Sequence, residues 1–114
     1  HEVNILRDRS PVFVKLSNGD IRNGYTLKIL NKTNYPQTFT MAVEGIDGAN
    51  LKVTSAKNLD TKEITAEPNA VESYHAFVTV EKDHAKNSDI TFTLKNKETG
   101  VIDTHVSKFI ARKK

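Results

Sequence analysis

The chain has 114 residues, 17 Lys and Arg against 14 Asp and Glu, a formal net charge of +3 and no cysteine. One domain of that length hides about two-thirds of its unfolded surface, enough for a single core without bridges or metal. The missing thiols exclude disulfide frameworks, thiolate metal centres and thiol catalysis within the chain.

Three positive charges, Arg112, Lys113 and Lys114, sit together at the C-terminus. The remainder is near neutral and lacks the clustered Lys and Arg with stacking aromatics that nucleic acid requires, so no nucleic-acid partner is expected. No apolar run approaches the roughly 18 residues of a membrane span, and no direct membrane insertion by this chain is expected.

Short β-branched and aromatic runs recur along the chain, separated by turn residues, which predicts an all-β sandwich. A first strand is expected over residues 11–16, ended by Ser17-Asn18-Gly19-Asp20. A second Asn-Gly, Asn23-Gly24, reads as another tight turn before a strand over 25–31, where Tyr25, Leu27 and Ile29 share a face. Residues 37–43 alternate again, with Phe39, Met41 and Val43 together. Weak edge strands follow over 51–54 and 63–66, then a long one over 71–80 with Tyr74, Ala76, Val78 and Val80 on one face. Ile90, Phe92 and Leu94 predict a strand over 90–95.

The last strand, over 101–110, carries Ile102, Thr104 and Val106 on one parity and Phe109 on the other, which suggests a bulge. Residues 82–87 could form one helical turn. Lysines that alternate with apolar residues, such as Lys28, Lys52 and Lys95, are expected on the wet faces. Seven to eight antiparallel strands in two sheets, an immunoglobulin-like sandwich, is the resulting fold. Residues 1–10 read as a linker from a preceding part of a parent protein, 11–110 as the domain and 111–114 as a basic tail. The start at His1, without an initiator methionine, fits a segment of a longer protein.

Catalytic chemistry finds no foothold. The histidines His1, His75, His84 and His105 show no chelating spacing, and His75 and His105 are expected opposite the apolar faces. No serine lies in a nucleophile elbow, and the carboxylates are scattered. Asn31-Lys32-Thr33 matches a glycosylation sequon, a pattern of low specificity. These observations predict a binding or structural module, with neither catalytic residues nor a cofactor of its own.

The residues from Leu6 to Glu44 carry a resemblance. Leu6-Arg7-Asp8-Arg9-Ser10-Pro11-Val12-Phe13-Val14, then Ile21-Arg22-Asn23-Gly24-Tyr25 running into Asn31-Lys32-Thr33, closely resemble the C-terminal domain of the FixG/CcoG family. The resemblance implies a parent that is a membrane polyferredoxin carrying [4Fe-4S] clusters, with this domain in the bacterial periplasm. It also implies a role as accessory protein in cbb3-type cytochrome oxidase assembly and copper reduction. On that basis the domain is expected to act through contacts with its parent's membrane part or with an oxidase-assembly protein.

The docking surface is expected at Arg7, Asp8, Arg9, Arg22 and Asn23. The alternative is a stand-alone adhesion or chaperone-type sandwich that binds a peptide strand by edge pairing. Copper delivery by the domain itself is a weaker third reading.

Overall fold

The computed structural model describes residues 2–9, 12–55, 60–61 and 63–111. Among them are ten strand segments and no helix: β1 (Glu2–Arg7), β2 (Val14–Lys15), β3 (Ile21–Asn31), β4 (Gln37–Glu44), β5 (Asn50–Ser55), β6 (Asp60–Thr61), β7 (Glu63–Ala66), β8 (Ala70–Val80), β9 (Ser88–Asn96) and β10 (Ile102–Phe109). Two antiparallel sheets face each other. One runs β1-β3-β8-β5-β6, with β2 added to β3, and the other runs β10-β9-β4-β7. Apart from the two-residue segments β2 and β6, eight strands build the immunoglobulin-like sandwich that the sequence predicts.

Alternation decides which residues meet between the sheets. Along β3, Ile21, Asn23, Tyr25, Leu27, Ile29 and Asn31 point inward, and Arg22, Gly24, Thr26, Lys28 and Leu30 point outward. Facing them, Phe39 of β4 and Ile90, Phe92 and Leu94 of β9 are fully buried. The Tyr25 and Phe92 rings meet edge to face, 4.8 Å between centroids at 73°. Full burial of one such side chain is worth about 1.5–3 kcal/mol, and the ring pair adds about 1 kcal/mol. Met41, Val43 and Tyr74, expected in the core, are half-buried and pack against it. Lys28, Lys52 and Lys95 are exposed, as their alternation predicts.

Several expectations need correction. Residues 2–7 are no linker: β1 pairs with β3 from Glu2↔Leu30 to Arg7↔Tyr25, placing Val3 and Ile5 against the core. The strand expected over 11–16 shrinks to Val14–Lys15, and Pro11 lies outside the described residues. Asn23-Gly24 is no turn but the middle of β3, and Gly24 does not appear among the positive-φ glycines. Gly19, by contrast, does sit in a turn with φ of +94°.

β10 keeps one register against β9 from Ile102↔Lys95 to Phe109↔Ser88, so no bulge interrupts it. Phe109 shares the inward parity of Asp103, His105 and Ser107, while the apolar Ile102 and Val106 face solvent. The presumption that apolar side chains mark the inner face fails on this edge strand. His105 is therefore on the inner face, not opposite it. Residues 82–87 form a turn closed by the His84 N–H on the Glu81 carbonyl at 2.9 Å, with no helix. Within the expected basic tail, Arg112, Lys113 and Lys114 lie outside the described residues.

Candidate docking surface

The block that carries the resemblance is organised around β3. Its inward polar residues tie the first sheet to the end of β10 in the second. The Asn23 amide reads like a piece of strand backbone: Nδ2–H donates to the Ile110 carbonyl at 2.9 Å, and Oδ1 accepts the Ile110 N–H at 2.8 Å. Two residues on, the Tyr25 hydroxyl donates to the Lys108 carbonyl at 2.6 Å. Burial pushes the Tyr25 phenol pKa well up; nearby Arg7 opposes this and Asp8 reinforces it.

Asn31 closes the far end of β3, donating to the carbonyls of Ala66 and Tyr35 at 2.9 Å each. Its Oδ1 accepts the Thr33 N–H and hydroxyl at 2.9 and 2.6 Å. The sequon asparagine is thus buried, and its side-chain nitrogen already donates twice.

On the outer face, Gly24 lets the chain after β1 approach. The Asp8 N–H donates to the Gly24 carbonyl at 2.8 Å, and the Asp8 carboxylate accepts the Thr26 hydroxyl at 3.0 Å. A Cβ on Gly24 would lie 2.7 Å from Asp8 Oδ2. Beside it, the Arg22 guanidinium sits 5.0 Å above the Phe77 ring centroid, at a cation–π distance. Asp8, Phe13, Val14, Arg22, Gly24 and Phe77 line a small depression there.

Of the five expected docking residues, the fold brings Asp8 and Arg22 together on this outer surface, and Arg9 is exposed just beyond Asp8. Arg7 points inward from β1, half-buried, with Nη1 enclosed and without a hydrogen-bond partner among the described residues. Asn23 is fully buried and cannot belong to a docking surface. Phe77 is the residue that the sequence reading missed. Its outward parity in β8 was legible, but its pairing with Gly24 is set by a strand about fifty positions away.

The comparisons with known proteins agree with this architecture. Residues 1–112 match the family model described as "IG-like fold at C-terminal of FixG, putative oxidoreductase". The chain belongs to this family of FixG C-terminal domains.

The nitrogen fixation protein FixG of Rhizobium meliloti is 35% identical over 95 residues, which are 82% of this chain and 18% of that protein. Protein RdxA of Cereibacter sphaeroides is 38% identical over 52 residues, 46% of this chain and 11% of its own length. This chain therefore spans less than a fifth of the relatives it matches. The crystal structure of a FixG-related protein from Vibrio parahaemolyticus superposes with a TM-score of 0.78 at 24% identity, covering 96% of this chain and 94% of that one. The family match begins at residue 1, consistent with β1 being part of the domain. Among the described residues no group of three or more His, Cys, Asp or Glu could hold a metal ion, and the sequence has no cysteine.

Proposed function

We propose that this domain is the non-catalytic, periplasmic contact module of a membrane-anchored iron–sulfur parent of the FixG type. In this reading it serves cbb3-type oxidase assembly by docking to the parent's membrane part or to an assembly partner. The supporting observation is the charged outer surface of Asp8, Arg9 and Arg22, which belong to the sequence block that carries the family likeness, with Arg22 held over Phe77 of β8. A guanidinium held over a ring and a carboxylate held by a hydroxyl are pre-oriented, so docking there loses little side-chain entropy.

The iron–sulfur clusters belong to other parts of the parent, so the domain should be separable from their chemistry. Deleting it from the full-length protein and measuring oxidase activity and cluster content tests the reading. Expected are lowered oxidase maturation and undiminished cluster absorbance. Unchanged oxidase activity would contradict it.

A further inference from the structure

We infer that β10 is a self-association edge, which pairs antiparallel with the β10 of a second copy and joins the two β10-β9-β4-β7 sheets into one. The inference rests on the strand alone, independently of the proposed docking surface. β10 closes a hairpin with β9: the Asn96 N–H donates to the Val101 carbonyl at 2.9 Å and the Gly100 N–H to the Asn96 carbonyl at 2.8 Å. Bonded and non-bonded pairs alternate along an antiparallel ladder. From Asn96 opposite Val101, the bonded pairs are Leu94 with Asp103, Phe92 with His105 and Ile90 with Ser107. Ile102, Thr104, Val106 and Lys108 consequently turn their backbone N–H and C=O away from β9.

Two observations support this parity. The Lys108 carbonyl accepts the Tyr25 hydroxyl, and both backbone groups of Ile110 bind the Asn23 amide. Residues of β3 therefore cap the outward edge from Lys108 onward. Ile102, Thr104 and Val106 present the edge that remains.

Of the devices that blunt an edge, that segment carries an inward-pointing charge, Asp103. It contains no proline, its register is continuous, and its exposed side chains include Ile102 at 57% and Val106 at 70%. The edge strand of the same sheet at its other side, β7, is only four residues long.

The occupant follows from self-complementarity. A two-fold axis at Thr104 sets Thr104 against itself, Ile102 against the second copy's Val106, and Asp103 against its His105. Apolar meets apolar and threonine meets threonine, pairings that stabilise antiparallel neighbours. An axis at Asp103 would oppose two carboxylates. An axis at His105 or Val106 would bring the incoming strand onto Lys108, whose carbonyl Tyr25 holds. One register is thus favoured, and it closes on itself as an isologous dimer.

The test is sedimentation velocity of this chain from about 10 μM to 1 mM, a range that detects weak association, with hydrogen exchange at both ends of the range. A monomer–dimer equilibrium is expected. The amides of Ile102, Thr104 and Val106 should gain protection with concentration, and those of Asp103 and His105 should not. Thr104→Pro removes an outward N–H without touching the ladder to β9, so it should weaken dimerisation at least about tenfold at unchanged Tm. Val106→Glu, which places a charge against Ile102, should do the same if the proline variant folds poorly. A monomer at every concentration, growth beyond a dimer, or a dimer indifferent to Val106→Glu would overturn the inference.

Discussion

Asn23 and Ile110 are joined by both ends of one amide, Nδ2–H to the Ile110 carbonyl and Ile110 N–H to Oδ1, across 87 positions of sequence. This pair pins the end of β10 to β3 and closes one side of the sandwich. Asn23→Ala leaves a backbone donor and acceptor of Ile110 unpaired in a partly buried place. Each such loss costs about 1–3 kcal/mol, so urea unfolding should show a loss of about 2–6 kcal/mol. Asn23→Asp retains the acceptor alone and should recover only part of it.

Tyr25 makes the parallel tie to Lys108. Tyr25→Phe keeps the ring on Phe92 and removes one hydrogen bond, an expected loss of about 1–2 kcal/mol at neutral pH. The phenol pKa is raised in the folded protein above the ordinary value near 10 because the ring is buried. Above pH of about 10 the unfolded chain releases a proton that the native one keeps, so stability should fall as pH rises through that region. Tyr25→Phe should flatten that fall in alkaline thermal melts.

Phe92 is fully buried and meets the Tyr25 ring edge. Phe92→Ala should cost about 3–5 kcal/mol in chemical denaturation. A loss below about 1 kcal/mol would be incompatible with this core.

Two glycines should respond differently to alanine. Gly19 has φ of +94°, and a side chain there should cost about 1–2 kcal/mol whatever surrounds it. Gly24 lacks that backbone constraint; its added Cβ collides with the Asp8 carboxylate at 2.7 Å. Gly24→Ala should therefore be substantially relieved by Asp8→Ala in a double-mutant cycle, whereas Gly19→Ala should not.

The inner faces of the central strands were legible because Tyr25, Leu27 and Ile29, or Ile90, Phe92 and Leu94, keep one parity and are apolar. β1 escaped notice because Arg7 and Glu2 make a short run look solvated, although Val3 and Ile5 alternate correctly. Asn23-Gly24 misled for a physical reason. The dipeptide that favours tight turns is here required in a strand, Asn to bridge toward β10 and Gly to admit Asp8. In β10 the apolar Ile102 and Val106 are outward, so a parity rule that equates apolar with inward placed His105 on the wrong side. Of the expected docking set, the surface members were separable from Arg7 and Asn23 only once the pairing of β1 with β3 was known.

Oxidase activity in cells that carry the full-length parent with Arg9→Glu and Arg22→Gln is the most direct test of a contact role. Both side chains lie outside the core, so the isolated variant domain should keep its Tm to within a few degrees. With the fold intact, cluster content should be normal and oxidase maturation clearly reduced. Full oxidase activity in that double variant, with the protein present at wild-type level, would contradict docking through this surface.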